Sequence, residues 1–292
     1  AEDGIRDLVR SRGLGDVYKR QYVSCEEMRK LNENLISLNQ RLVNAEQIKS
    51  NFISNISNEI LNPFTSILGL SKNILEVKKE DWKKVITMVA MIHSEAFNLD
   101  FQLKNIFAAA RIEAGEVLPE ISNIDIKGLI LDIIDSFKYE AHKKTIRLQY
   151  KFSTTDKNRQ YYFQCDSEKI RLILSNLLSN AIKFSKDKGA IIINTRIKND
   201  EMICSVQDFG EGISRENQQI IYNRFNRSDS GIETTFRGHG LGLSINKAMI
   251  EILHGKIEFK TSTGNGTKFT VSLPKLEGES EGITLDGNEL LF

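Results

Sequence analysis

The hydrophobic period of this 292-residue chain changes near Pro119, and this change constrains the fold more than any other feature. Before Pro119, apolar residues recur every three or four positions, which is the period of an amphipathic α-helix. After it, short segments in which apolar and polar residues alternate, as they do in strands, are separated by helical stretches. The sequence therefore predicts an α-helical N-terminal part followed by a two-layer α/β sandwich with a mixed sheet.

The first helical segment contains a heptad repeat. A two-stranded coiled coil is the simplest way to bury such a stripe, and one amphipathic helix packed on its own domain is the alternative. We favour the coiled coil, because polar residues fill the other positions and nothing upstream could cover the stripe. The apolar positions of the repeat are Met28, Leu31, Leu35, Leu38, Leu42 and Ala45.

Two long helices are predicted next. The first continues through Pro63, which should bend it, to about residue 77. Asp81 is a candidate N-cap for the second, over residues 82–114, and Gly115 is placed to end it. Two antiparallel helices with one apolar face each would form a four-helix bundle in a dimer. The apolar stripe of the second helix includes Val85, Met88, Ile92, Phe97, Phe101, Leu103, Ile106 and Phe107.

The part after Pro119 predicts strands and helices in mixed order. The strands are expected at Ile146–Phe152, Ile191–Ile197, Met202–Asp208, Ile257–Thr261 and Thr267–Leu273. The helices are expected at Ile126–His142, Ser167–Ser185 and Leu241–Leu253.

The bulk composition excludes several classes of function. A net charge of +1 gives no electrostatic case for binding nucleic acid or an anionic membrane surface. Cys25, Cys165 and Cys204 lack metal-ligand spacing and are typical of reduced thiols in a cytosolic protein. No apolar run approaches the roughly 20 residues of a membrane-spanning helix. We therefore expect a cytoplasmic location without direct membrane contact.

One predicted helix presents polar residues at a chemically suggestive spacing. Asn176, Asn180 and Lys183 are four and three positions apart, so they share one helical face. Two carboxamide oxygens and an ammonium group suit a magnesium ion and the phosphates that it bridges, because Mg²⁺ prefers oxygen ligands. A solvated polar stripe is the alternative, and for this helix alone it would be the better interpretation.

Asp208 is the last residue of a predicted strand and precedes a glycine-rich turn. A carboxylate at a strand end can accept a hydrogen bond from the exocyclic amine of adenine, and it would reject guanine, which places an acceptor there. Gly210 and Gly212 would let the backbone approach a flat ring. A tight hairpin turn explains this turn sequence nearly as well.

A second glycine-rich segment opens the last predicted helix. Glycines before a helix expose amide hydrogens and the positive helix end, which together favour phosphate binding. Residues 228–235, polar and flanked by glycines, are a candidate lid over a nucleotide. The segment comprises Gly238, His239, Gly240, Leu241, Gly242 and Leu243.

The order and spacing of these segments resemble the cytoplasmic core of sensor histidine kinases of two-component systems. Residues 176–181 look like the N box of that family, residues 208–212 like its first glycine box, residues 222–225 like its phenylalanine box and residues 238–243 like its second glycine box. The resemblance covers about residues 47–275. The ATP-binding domain of that family shares its fold with gyrase, Hsp90 and MutL.

The resemblance implies ATP and Mg²⁺ as cofactors, and a homodimer and a response-regulator receiver domain as partners. Asn180 and Asn176 would be near the metal, Asp208 on adenine, and Lys183 and the lid glycines on phosphate. The full set of implied ATP-binding residues is Asn176, Asn180, Lys183, Asp208, Gly210, Gly212, Ile213, Phe225, Gly238, Gly240, Leu241, Gly242, Leu243 and Thr267.

Composition, periodicity and the resemblance together divide the chain. Residues 1–21 are rich in Arg and Gly and lack a sustained hydrophobic period, so we expect a library-derived or disordered segment there, followed by a coiled-coil linker over residues 22–46. Residues 47–117 are the dimerisation and phosphoacceptor hairpin, residues 118–275 the ATP-binding domain and residues 276–292 a flexible tail. The chain would fit the intracellular part of an inner-membrane sensor.

The chain departs from the family at the phosphoacceptor. Asn58 stands where the family has the histidine that accepts the γ-phosphoryl group. An amide nitrogen has its lone pair delocalised into the carbonyl, whereas a neutral imidazole offers a free lone pair. The sequence therefore predicts loss of autophosphorylation, whether the asparagine is an introduced replacement or belongs to a naturally degenerate sensor.

Glu59 and Asn62 match the flanking catalytic positions of the family. The acidic residue acts there as a base, and the Thr/Asn position orients the water that dephosphorylates the regulator. The chain could thus retain phosphatase activity toward a response regulator. A non-enzymatic module whose domain arrangement is gated by ATP is the other alternative.

Overall fold

The computed structural model describes residues 28–40, 42, 43, 46, 57, 60–78, 81–154, 162–219, 221, 222 and 241–276. It divides into two units, residues 1–55 and 56–292. In the first unit, residues 28–40 are helical. The heptad residues Met28, Leu31, Leu35 and Leu38 are more than half exposed.

The second unit begins with the predicted helical hairpin segments. Helix α1 covers residues 60–75 and contains a buried Pro63. Helix α2 covers Trp82–Ala114 and ends at Gly115, whose φ of 70° is left-handed, as the sequence predicts. Asp81 occupies the predicted N-cap position of α2, but its side chain makes no capping hydrogen bond. Asp81 Oδ2 instead accepts a hydrogen bond from Lys84 Nζ at 2.9 Å.

Both helices leave large apolar side chains exposed within one chain. The predicted stripe member Phe107 is among them, whereas Phe97 and Phe101 are half-buried. Among the described residues, no helix is both long and apolar enough to cross a bilayer. The exposed side chains on the two helices are Leu61, Phe64, Leu68, Leu75, Trp82, Ile86, Val89, Met91 and Phe107.

A five-stranded mixed sheet, in the order β2-β4-β5-β7-β6, forms one layer of the C-terminal part. Strand β2 pairs with β4 in parallel, and the other neighbouring pairs are antiparallel. Three helices that contact one another in the order α3-α5-α7 form the second layer. The strands are β2 (Arg147–Thr154), β4 (Ala190–Lys198), β5 (Glu201–Gln207), β6 (Lys256–Ser262) and β7 (Gly266–Pro274). The helices are α3 (Ile126–Ser136), α5 (Ser167–Phe184) and α7 (Gly242–Ile252).

The predicted helix over residues 126–142 is two helices. It breaks at the buried Phe137, between α3 and the short α4 (Lys138–Lys143). The ring of Phe137 meets Phe97 and Phe101 of α2 edge-on, with centroids 5.2 and 5.9 Å apart. The break therefore accompanies an aromatic contact with a distant helix, which helical periodicity does not reveal.

Three short elements are absent from the sequence prediction. Strands β1 (Ser122–Asp125) and β3 (Tyr162–Cys165) pair as a separate antiparallel sheet. Helix α6 covers only Arg215–Gln218. Four residues are too few to establish a hydrophobic period. Leu276, the first residue of the predicted tail, is buried, and its N–H donates to Gln164 O at 3.0 Å.

A buried ion pair anchors the start of α5. Asp166 caps this helix by accepting from Lys169 N at 2.9 Å, and it also accepts from Glu120 N at 2.8 Å. Lys169 Nζ pairs with the Asp166 carboxylate and donates to Leu118 O at 2.8 Å. This pair therefore joins the segment after α2 to the N-terminus of α5.

We expect Lys169→Met to lower the free energy of unfolding by about 2 kcal/mol. The substitution leaves Asp166 without its cation, although two backbone N–H donors remain. Lys138→Met is the matched control, because Lys138 pairs with Asp135 at 2.7 Å on the surface and such pairs contribute little. Urea denaturation of both variants measures the difference. Equal losses of stability would show that burial does not strengthen the Asp166–Lys169 pair.

Candidate functional site

Asp208 follows β5 and is held rigidly by backbone groups. Its Oδ1 accepts hydrogen bonds from Gly210 N at 2.9 Å and Thr267 N at 3.1 Å. Its own N–H donates to Thr267 O at 2.9 Å. The residue is only 6% exposed. Within the described residues Oδ2 makes no hydrogen bond, so one carboxylate oxygen shapes the turn and the other is available to a ligand.

Burial raises the pKa of the Asp208 carboxyl above its ordinary value, against the opposing effect of the Gly210 and Thr267 N–H groups. We expect nucleotide affinity to fall as the pH is lowered through this raised pKa, at a pH where an exposed aspartate is still ionised. The reason is that protonation removes the charge that makes the carboxylate a strong acceptor. Nucleotide titrations over a pH series measure this, and a flat profile would contradict it.

The stability of the ligand-free protein should have the opposite pH trend. A carboxyl group with a higher pKa in the folded than in the unfolded protein stabilises the folded state. This stabilisation is complete when the pH is below the pKa of the unfolded protein, and it is lost as the pH rises through the pKa of the folded protein. Thermal denaturation of the parent and of Asp208→Asn separates this contribution from those of other groups, because only the parent can lose it.

Gly210 and Gly212 bring backbone segments together at the turn. A Cβ on Gly210 would lie 1.9 Å from Phe184 O, at the end of α5. Gly212 has a φ of +72°, and its Cβ would lie 2.2 Å from Ser262 O. Glycine is therefore required at both positions by the packing of the protein itself. The sequence explanation, close approach to a flat ring, is not needed to account for either glycine.

Thr261 connects three parts of the turn, and the sequence reasoning missed it. Its Oγ1 accepts from Ile213 N at 2.9 Å and donates to Gly266 O at 3.1 Å. It also lies 3.0 Å from Thr267 Oγ1. The predicted site residues Ile213 and Thr267 thus lie in one hydrogen-bonded cluster with Asp208. The only signal in the sequence is the position of Thr261 across a hairpin from Thr267.

The three predicted polar residues of α5 differ in burial. Asn180 and Lys183 are half-buried, whereas Asn176 is only 3% exposed. Asn176 Nδ2 donates to Asn246 Oδ1 of α7 at 3.0 Å. Lys183 Nζ lies 5.0 Å from the ring centroid of Phe184. Asn176 is therefore part of the α5–α7 interface, and Asn246 is a buried partner that the sequence reasoning missed.

The N-terminus of α7 is adjacent to Asn176. Gly242 is the first helical residue, and Leu241 before it is buried. Leu243 is half-buried. Gly210 lies against the end of α5, and Gly242 lies against Asn176 in the middle of α5. The turn after Asp208 and the described part of the second glycine-rich segment therefore both contact the helix that carries Asn176.

Several predicted site residues lie outside the described residues. They are Asn58, Glu59, Phe225, Gly238 and Gly240, together with the predicted lid over residues 228–235. Asn62 is described, and it is exposed on α1.

The described part of this site offers a metal ion no cluster of acidic or imidazole groups. In the described ranges, no three His, Cys, Asp or Glu side chains are grouped so that they could hold a metal. Amide oxygens of Asn176 and Asn180 are the ligands that α5 offers, and Mg²⁺ commonly combines few protein oxygens with water and substrate phosphates. The residues present therefore fit a magnesium ion that arrives with a nucleotide.

Known proteins resemble this chain over most of its length. Residues 165–277 match the family described as "Histidine kinase-, DNA gyrase B-, and HSP90-like ATPase". The "Circadian input-output histidine kinase CikA" of Thermosynechococcus vestitus is 30% identical over 237 residues, covering 79% of this chain and 31% of the relative. "Sensor protein GacS" of Pseudomonas syringae is 30% identical over 242 residues, covering 80% of this chain and 26% of the relative. The chain thus spans less than a third of the length of these relatives.

Solved structures show the same fold. "ShkA full-length in complex with AMPPNP" is 21% identical, with a TM-score of 0.52 over 78% of this chain and 45% of that one. "Acinetobacter baumannii histidine kinase AdeS" is 18% identical, with a TM-score of 0.50 over 75% of this chain and 98% of that one. The predicted fold class, a helical N-terminal part followed by a mixed α/β domain, is confirmed.

Proposed function

Because this chain carries an ATP-binding domain of the sensor histidine kinase type, we propose that it is the core of such a kinase and binds MgATP. Asp208 is the observation that supports this most strongly. Two backbone N–H groups fix its Oδ1, so the plane of the carboxylate is set before a ligand arrives. A preorganised acceptor of this kind selects a base by the hydrogen-bond donor that the base presents.

Selectivity for adenine tests this proposal. The exocyclic amine of adenine would donate to Asp208 Oδ2, whereas guanine would oppose the carboxylate with a carbonyl oxygen. We expect ATP to displace a fluorescent nucleotide at a concentration at least about 100-fold lower than GTP. Equal potency of ATP and GTP would remove Asp208 from base recognition. Similar potency of AMP and ATP would be compatible with base recognition by Asp208, but it would show that the β- and γ-phosphates make no favourable contacts.

The phosphates would lie between α5 and the N-terminus of α7. Lys183 supplies a positive charge, and Gly242 starts a helix whose exposed N–H groups favour anions. Asn176 and Asn180 would hold Mg²⁺, which when bound neutralises phosphate charge during transfer. These residues bind and orient the nucleotide, and that positioning is the main contribution that a protein makes to phosphoryl transfer.

The acceptor position distinguishes this chain from an active kinase. We propose that Asn58 prevents autophosphorylation and therefore the onward transfer to a response-regulator aspartate. We also propose a homodimer, since α1 and α2 expose apolar side chains such as Leu61, Phe64 and Leu68 that a four-helix bundle would bury.

A phosphatase is the second candidate function, and the exposure of Asn62 on α1 favours it. An exposed amide beside the acceptor position could orient water toward the aspartyl phosphate of a bound receiver domain. The test is the lifetime of a phosphorylated receiver domain with the parent chain and with Asn62→Ala. A lifetime that neither protein changes would leave the non-enzymatic, ATP-gated module as the remaining alternative.

A further inference from the structure

Asn246 is a completely buried amide in the middle of α7, with 0% exposure. Its Nδ2 donates to Ile173 O of α5 at 3.0 Å. Its Oδ1 accepts from Asn176 Nδ2, also at 3.0 Å. A buried amide that makes hydrogen bonds at both ends is costly to replace, and here it links two helices of the nucleotide site.

Two backbone carbonyls determine the orientation of both amides. Ile173 O can only accept a hydrogen bond, so Asn246 must direct its NH₂ group toward it. Asn246 Oδ1 then faces Asn176, which must direct its own NH₂ group back. Gly242 O, 3.5 Å from Asn176 Nδ2, is also only an acceptor and favours the same orientation. The opposite orientation of Asn176 would place its oxygen against two other oxygens.

The oxygen of Asn176 is consequently directed away from Asn246. It lies toward the backbone of Gly242, 3.2 Å from the position that a Cβ on this glycine would occupy. Gly242 is the first residue of α7. The amide oxygen of Asn176 is therefore adjacent to the helix end where we place the phosphates.

We propose that Asn246 is a positioning residue that holds the Asn176 carboxamide with its oxygen, and not its NH₂ group, available to the magnesium ion of a bound nucleotide. The inference rests on the proposed MgATP function. Mg²⁺ accepts oxygen ligands and is repelled by an NH₂ group, so the orientation of this amide decides whether Asn176 can be a ligand. Groups behind a ligand commonly change metal affinity in this way.

Replacement of Asn246 by leucine tests the proposal. The apolar side chain removes both hydrogen bonds of Asn246 and leaves only the longer contact with Gly242 O, at 3.5 Å, to orient the amide of Asn176. A fluorescent ATP analogue is titrated into each protein with excess Mg²⁺ and again with EDTA. We expect Asn246→Leu to reduce the ratio of the nucleotide affinity in Mg²⁺ to that in EDTA by about 10-fold or more. The nucleotide affinity in EDTA should change little. Asn246→Ala removes the same amide without added volume, in case leucine prevents folding.

Asn246→Asp is the conservative variant that separates orientation from stability. Its carboxylate still accepts from Asn176 Nδ2 but cannot donate to Ile173 O. We therefore expect a less stable protein that keeps the Mg²⁺ effect on nucleotide affinity. Ile250→Val is the control for packing, since Ile250 is buried on α7 and its side chain is purely apolar. This substitution should leave the ratio unchanged.

The outcomes are distinguishable. Equal loss of affinity with Mg²⁺ and with EDTA would assign Asn246 a structural role and overturn the proposal. Loss of the Mg²⁺ effect in the aspartate variant as well would also overturn it. If the parent binds the nucleotide without any Mg²⁺ enhancement, the inference fails while ATP binding stands. If the parent binds no nucleotide in either condition, the proposed function itself fails.

Discussion

Replacing Asn58 with histidine is expected to make the chain take up label from γ-labelled ATP at least about 1000-fold faster than the parent, because loss of a nucleophile costs on the order of 10⁶-fold in a hydrolase. The resemblance to sensor histidine kinases implies that Glu59 and Asn62 flank the acceptor position, so we expect one substitution to complete the acceptor site. The label should be released by mild acid and resist base, as expected of a phosphorus–nitrogen bond.

Two variants control this experiment. Asn58→Gln lengthens the side chain without supplying a nucleophile, and it should remain unlabelled. Asn58→His combined with Asp208→Asn should also remain unlabelled, because this double variant has an acceptor but lacks the carboxylate that we expect to bind adenine. If Asn58→His alone takes up no label while it binds MgATP, the acceptor assignment is wrong and the ATP-gated module becomes the better explanation.

Asp208→Asn is expected to weaken ATP binding at least about 100-fold, which corresponds to about 2.8 kcal/mol. An asparagine at this position has one acceptor atom where the aspartate has two. If its oxygen faces the N–H groups of Gly210 and Thr267, its NH₂ group opposes the adenine amine. If it turns the other way, its NH₂ group opposes the two backbone N–H groups. Either orientation leaves buried donors facing donors.

Asp200→Asn is the matched control for this substitution. Asp200 is exposed in the turn between β4 and β5, at the opposite end of β5 from Asp208. Its only hydrogen bond in the described structure uses the backbone carbonyl, which accepts from Lys275 N at 2.7 Å. Displacement of a fluorescent nucleotide should distinguish the two variants. Similar affinities for both would show that the Asp208 carboxylate does not anchor the base.

The elements that the sequence predicted correctly depend on local patterns. The apolar period of α2 and the glycine at position 115 specify a helix and its end from neighbouring residues alone. The segments that form β4 and β5 likewise predict strands. Burial alternates along β4, because successive side chains point to opposite faces of a sheet. The position of Asp208 at the end of such a predicted strand, two residues before a glycine, marks it as a site residue.

The features that the sequence did not reveal depend on contacts between distant residues. Phe137 interrupts a continuous helical pattern where it meets Phe97 and Phe101, which precede it by 36 or more positions. Asn246 hydrogen-bonds residues of α5 that are 70 and 73 positions away. In the sequence it is a single polar residue within an apolar helical stripe, and such a residue has many explanations.

For Gly210 and Gly212, the sequence indicated the correct residues but not the physical reason for them. Their presence near Asp208 was predicted, but the reason given was approach to a ligand. In the structure Gly210 and Gly212 bring the turn close to the backbone of Phe184 and Ser262. A motif can therefore mark the correct residues while their physical role is to hold the fold around the site.

Calorimetric titration of MgATP into the parent chain tests most directly whether a nucleotide binds in the C-terminal part and is anchored by Asp208. The account predicts a saturable heat that fits one site per chain, retained in Asp200→Asn and absent at the same concentrations in Asp208→Asn. A parent that releases no heat of binding over a range of temperatures, or an Asp208→Asn isotherm that coincides with that of the parent, would contradict it.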